Sequence, residues 1–211
     1  MARKPADQSV NRDEIIAAAA DVLQRKGYDA ATMKDIAAAV NLTAASLYHH
    51  FKNKDALFLA VLDAGLTFVL EQLEPIAAAE ERADVKLRRM IACHIIGVTN
   101  NRAVGAAMVF EIRELMTLPI GIDETGAVDA EIIAARDAFF AQRDRFEGLF
   151  RQVVQEGIDR GMFRPVDVGI FVKLLLGAQN WVGVWFRPGG RLTGDEIAQL
   201  MAGMLINGIC A

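Results

Sequence analysis

Apolar residues recur three and four positions apart along most of the chain, and no long alternating Val/Ile/Thr/Tyr run lies between turn clusters. With abundant alanine, this pattern predicts an all-α fold of about nine helices. A first helix spans roughly 11–26, with Ile15, Ile16, Ala19 and Leu23 on one stripe, and stops at Gly27-Tyr28. Thr32 offers an N-cap with Asp35 three residues on, opening a short helix to about Val40. Asn41-Leu42-Thr43 makes a tight turn into a second short helix, about Ala44–Phe51. Asn53 caps a long helix from about Lys54 to Pro75–Ala79. Helices follow at 83–100, 102–117, about 128–160, about 166–187 and about 194–209, the last capped by Thr193. Gly161, Pro165 and Pro188-Gly189-Gly190 punctuate them. A domain boundary is expected at the start of the long helix, giving residues 1–53 and 54–211.

The 211 residues are 53% hydrophobic and 24% charged, a globular composition. The uncharged stretch Ile197–Ala211 falls short of the roughly 17–25 apolar residues of a membrane span. No apolar segment follows Arg3 and Lys4, so no signal peptide is expected, and two cysteines exclude a disulfide framework. The expected compartment is the cytoplasm. Residues 1–55 carry 8 Lys/Arg against 7 Asp/Glu and the remainder 15 against 20. That balance alone does not mark a nucleic-acid binder.

The segment Thr32–Phe51 changes the picture. Two short helices joined by a three-residue turn form a helix-turn-helix, with Ile36, Ala37, Val40, Leu42, Leu47 and Phe51 placed to pack together. Its second helix can enter a major groove, about 12 Å wide. Thr43 at the N-cap leaves backbone amides free to face a phosphate, Tyr48 presents a hydroxyl, and Lys52 and Lys54 follow. The run Ala31–Ala38, then Val40–Leu57 with Leu47-Tyr48-x-His50-Phe51-x-Asn53-Lys54-x-x-Leu57, resembles the DNA-binding domain of the tetracycline-repressor family. The resemblance covers about residues 11–62. Asn41 stands where that family often has glycine, and asparagine tolerates the left-handed backbone the turn needs. The resemblance implies base-edge contacts from Ala44, Ala45, Ser46 and His49, and phosphate contacts from Thr32, Thr43, Tyr48 and Lys54. Alanines reach only a thymine methyl and serine discriminates poorly, so shape and phosphate geometry share the readout.

One helix-turn-helix reads half a site, so a homodimer on double-stranded operator DNA is expected. Helices 166–187 and 194–209 carry apolar stripes and Gly177, Gly183, Gly203 and Gly208, which close backbone approach would justify. The resemblance implies a four-helix bundle between two subunits; an internal core is the other reading. It also implies a C-terminal helical effector domain holding a small molecule. Candidate lining residues are His94, Met108, Phe110, Arg113, Met116, Phe139, Phe140, Asn180, Trp181 and Trp185, each of which also reads as ordinary core. The string Leu176–Ile197 is similar to the branch of the family that controls fatty-acid, aromatic-acid or sterol degradation and answers to acyl-CoA thioesters. For such a ligand Trp181, Trp185 and Phe110 would line an apolar tunnel, and Arg113, Arg187 and Arg191 would meet phosphates. Arg187 and Arg191 equally suit a solvated helix terminus. A non-thioester hydrophobic or aromatic compound, such as a drug-efflux inducer, is the alternative effector.

Other chemistry finds little support. No Ser/His/Asp grouping, P-loop or GxGxxG sequence supports an enzyme. No CxxC or HxxxH spacing supports a metal, and no cofactor is expected. Nothing predicts a membrane partner. The expected protein is a ligand-responsive repressor with a helix-turn-helix head.

Overall fold

The structure, a computed structural model, describes residues 10–100, 121–122 and 126–211. Among the described residues the chain forms eight helices: α1 (Arg12–Ala30), α2 (Met33–Ala39), α3 (Ala44–His50), α4 (Lys54–Ala78), α5 (Ala83–Asn100), α6 (Ala130–Asp159), α7 (Val168–Trp185) and α8 (Gly194–Asn207). The remaining predicted helix, 102–117, lies outside the described residues. The only extended pairings described are isolated bridges, Ile122 with Val128 and Phe163 with Cys210.

Local chemistry sets the helix starts. Asn11, Thr32, Thr43, Asn53, Asp129, Asp167 and Thr193 each accept a backbone N–H of the first turn through the side chain. Thr32 with Asp35, and Thr193 with Glu196, close full capping boxes. Gly27 takes φ +75°, which ends the regular part of α1 near the predicted stop; one further bent turn carries the chain to Ala30.

Helix α4 joins two packed regions. Its first turns lie on α1, where Leu57 and Phe58 join Ile15, Leu23, Ile36 and Leu47 in a small core. Its later turns lie between α5 and α6, burying Leu62, Leu66, Leu70 and Leu73. The larger core adds Leu87, Ile91 and Ile95 of α5, Phe139, Phe146 and Phe150 of α6, and Val172 and Leu175 of α7. The most extensive pairing is α5 with α8, tight enough that the Thr99 side chain stands where a Cβ on Gly194 would lie. Both α4 and α7 have the length and apolarity of a membrane-crossing helix. On α4 half of that surface is spent on the two cores.

Polar contacts pin the far end. Buried Lys86 donates to the Ala77 carbonyl at 3.1 Å and pairs with Glu156 at 2.6 Å, tying α4, α5 and α6 together. The C-terminus folds back on the end of α6. The Arg164 N–H donates to the Ile209 carbonyl at 2.8 Å, and its guanidinium donates to the Gly208 carbonyl. The buried Phe163 ring rests directly on Gly157, filling the space a Cβ would need.

Gly157→Ala should therefore force Phe163 out of its seat. A loss of about 1–3 kcal/mol of stability is expected, read by chemical denaturation. Gly148→Ala, on the same helix with open space around it, should not destabilise.

Candidate functional site

The head presents α3 as its outermost element. The turn before it depends on Asn41, which adopts the expected left-handed backbone, φ 57°, the only positive φ among described non-glycine residues. The Leu42 N–H then donates to the Ala37 carbonyl at 2.8 Å, closing the turn. Thr43 Oγ1 accepts the Ser46 N–H at 3.0 Å and lies 2.9 Å from Ser46 Oγ. Within α3 only Leu47 is buried; Ala45, Tyr48, His49 and His50 are exposed, and Ala44 and Ser46 are half-buried. Five of the expected contact residues, Ala45, Tyr48, His49, Thr43 and Thr32, therefore stand exposed on one small domain.

Two of the phosphate expectations meet competing contacts. The Thr32 hydroxyl is engaged with Asp35, donating to it at 2.8 Å and accepting its N–H at 3.2 Å. The Lys26 ammonium, together with Thr32, holds the Asp35 carboxyl down at about 2. Lys54 departs from expectation more fully. Its Nζ donates to the carbonyls of Tyr28, Ala31 and Asp29 at 2.9, 3.3 and 3.5 Å and sits 4.2 Å from the Tyr28 ring centroid. The three ammonium hydrogens thus close off the end of α1, and a phosphate would have to displace them.

The residues around Lys54 form a junction that sequence reasoning missed. Lys52, placed beside the DNA-facing residues by the sequence, instead pairs with Asp129 at 2.8 Å and Glu131 at 2.7 Å. Asp129 is also the N-cap of α6. Asp55 accepts the Tyr28 hydroxyl from the head and the Gly121 N–H, at 3.0 Å, from the far domain. The partners Gly121, Asp129 and Glu131 stand 66–79 residues away along the chain, so spacing gave no signal of them. A groove of about 730 Å³ runs beside the junction between α1, α4 and α6, with Ala56, Leu59, Ala60 and Ile132 in its wall.

The effector candidates separate into groups. His94 and Asn180 line one cavity of about 190 Å³ between α5, α6 and α7. Phe140 is half-buried, 5.8 Å from the fully buried Phe139 ring. Trp181 and Trp185 are 60% and 46% exposed, on the outward stripe of α7 with Ile170 and Leu174, not in that cavity. Helix α7 is apolar on both faces, and packing turned the tryptophans out. Met108, Phe110, Arg113 and Met116 lie outside the described residues. The outward stripe continues across an apolar groove of about 350 Å³ to Met204 and Leu205 of α8. Among the described residues, nothing lies within 4 Å of where a Cβ on Gly177 or Gly203 would stand.

His94 is 5% exposed and stacked edge-on to Phe146, with ring centroids 5.2 Å apart. Its Nδ1 lies 3.2 Å from Gln179 Oε1, while Gln179 Nε2 donates to the Leu175 carbonyl at 3.1 Å. The amide is thereby oriented, Nδ1 is the donor, and the neutral ring keeps Nε2 as an acceptor. Burial lowers the His94 pKa to about 4, against a smaller opposing effect of Gln179. The unfolded chain thus binds the extra proton first, and stability is lost as pH falls from the ordinary histidine value of 6.5 towards about 4. His94→Asn, which can still donate to Gln179, should remove this component. The expected difference is on the order of 3 kcal/mol across that window, measured as denaturation midpoints of the two proteins at pH 7 and pH 4.

Known proteins share this arrangement. Residues 15–61 match the signature described as bacterial regulatory proteins of the tetR family, and residues 121–209 match a tetracyclin repressor-like C-terminal domain. The HTH-type transcriptional repressor KstR2 of Mycolicibacterium smegmatis is 26% identical over 207 residues, covering 97% of this chain and 93% of that protein. The solved structure of AibR in complex with isovaleryl coenzyme A and operator DNA superposes with a TM-score of 0.77 at 28% identity, over 92% of this chain and 97% of that one. The ketosteroid regulator KstR2 of Mycobacterium tuberculosis, 21% identical, shares the fold with a TM-score of 0.80 over 99% and 100% of the two chains. With one family's two domains matched in order on a shared fold, the chain belongs to the tetR family of bacterial regulatory proteins.

Proposed function

We propose that the chain is a homodimeric transcriptional repressor that leaves its operator when an apolar acyl-CoA thioester binds, and that it acts in the cytoplasm as a regulator, not an enzyme. Residues 1–53 form the DNA-binding head and residues 54–211 the ligand-binding and dimerisation domain. The observation that carries this reading is the exposed α3, held out by the Asn41 turn, in a chain similar along nearly its whole length to AibR, solved with operator DNA and isovaleryl coenzyme A.

Thr43 and Tyr48 meet phosphates, and Ala44, Ala45, Ser46 and His49 face base edges. Thr32 is a weaker phosphate contact because its hydroxyl is already engaged. Lys54 acts first as the brace between α1 and α4. The outward stripe of α7 and α8, with Ile170, Leu174, Trp181 and Met204, is the dimer face, since so large an exposed apolar surface calls for cover. The open positions at Gly177 and Gly203 suit close approach of the second subunit. Trp181 and Trp185 can still touch an effector if the ligand reaches that interface.

A fluorescent duplex from upstream of the protein's own gene tests the reading. Binding at about 10 nM or tighter is expected, with release by octanoyl-CoA. Release by an aromatic drug and not by any thioester would replace the effector class. Binding no tighter than to random DNA would remove the repressor assignment for that site. Thr43→Ala with Tyr48→Phe should weaken operator and random DNA alike, since phosphate contacts carry no sequence. Leu174→Asp should give a monomer in sedimentation velocity and lose operator binding; a dimer that still binds would place the interface elsewhere.

A further inference from the structure

The cavity between α5, α6 and α7 holds two groups with polar capacity left unmet. Arg143 at its wall is half-buried and makes no hydrogen bond or ion pair among the described residues. A partly desolvated guanidinium without an anion is unfavourable, and its planar fork suits a carboxylate or phosphate. The nearby carboxylate, Glu147, is already paired with Arg151 and, at 3.6 Å, with Lys173. Lys173 lines the same cavity, so the balance around it is positive. The second group is His94. Its Nδ1 is committed to Gln179, and Nε2 has no partner among the described residues although the ring is almost wholly buried. His94 also lines the cavity, beside the half-buried amide of Asn180 and the apolar Phe146 and Leu176. At about 190 Å³ the space equals the liquid volume of about six waters. That suits the polar end of a ligand better than a whole one.

We propose that this cavity is a recognition site for an oxyanion that carries a neighbouring N–H or O–H donor, with Arg143 taking the anion and His94 Nε2 accepting from the donor. The proposal rests on the reading of the chain as an effector-responsive regulator and assigns the polar end of that effector. Two sources share the chemistry. The phosphopantetheine arm of a thioester offers amide N–H groups and phosphates; a free 3-hydroxy acid offers a carboxylate beside its own hydroxyl donor. Asn180 can serve either, because its amide both donates and accepts.

Titration calorimetry with coenzyme A, 3-hydroxyoctanoate and octanoyl-CoA separates the sources. Binding of coenzyme A without 3-hydroxyoctanoate assigns the phosphopantetheine arm, and the reverse assigns the hydroxy acid. In either case Arg143→Met and His94→Asn should each weaken the bound probe at least tenfold. The His94 Nε2 nitrogen resonance should also shift on saturation of the wild-type protein. Equal affinity in all three proteins, an unmoved His94 resonance, or no binding of any probe at millimolar concentration overturns the proposal. If octanoyl-CoA releases operator DNA equally from wild type and both variants, the site is wrong and the effector reading stands. If coenzyme A or 3-hydroxyoctanoate binds through Arg143 while no thioester releases DNA, the site stands and the effector reading falls.

Discussion

Burial along α4 is the constraint on which the other elements depend. One helix supplies apolar surface to two cores, Leu57 and Phe58 to the head and Leu62 through Leu73 to the larger domain. Each turn must therefore keep its rotational phase against different neighbours, α1 first and then α5 and α6. A side chain that slips in one core turns the helix in the other. The two domains are mechanically continuous for this reason, and no flexible linker separates them.

Polar contacts refine what burial makes rigid. Lys52, Lys54 and Asp55 fall within four consecutive residues, yet Lys52 reaches the start of α6, Lys54 the end of α1, and Asp55 both Tyr28 of α1 and Gly121. Lys52 and its carboxylates are open to solvent, so that pair is weak and screened by salt. Its geometry nonetheless defines one preferred setting of the head relative to α6. Cheap contacts of this kind suit a molecule that must hold two settings of similar free energy, because they can break without a large penalty.

Local features were legible in the sequence. The caps at Thr32, Asn53 and Thr193 depend on residues up to three positions apart, so spacing predicted them, while the left-handed turn at Asn41 was implied by the family resemblance. The head and the succession of helices followed. Helix rotation was not legible where both faces are apolar. On α7, Val172, Leu175 and Val182 point in while Ile170, Leu174 and Trp181 point out, and periodicity alone could not tell which face the core would take. His94 and Asn180 were nominated residue by residue, but no spacing pointed to the partners that matter beside them, Arg143 and Gln179. Lys54 read as a free cation because its acceptors are backbone carbonyls, which leave no trace in side-chain spacing.

The recognition helix hangs on the body by one buried side chain, Leu47, while its other six residues remain wholly or partly in water. Substitutions at water-facing positions usually change stability by no more than about 0.5 kcal/mol, whereas one altered base contact shifts discrimination by about 1–3 kcal/mol. Sequence preference and foldability are thus nearly uncoupled in α3. A lineage carrying this scaffold can be redirected to new promoters by a few changes in one short helix, with the cores beneath it untouched.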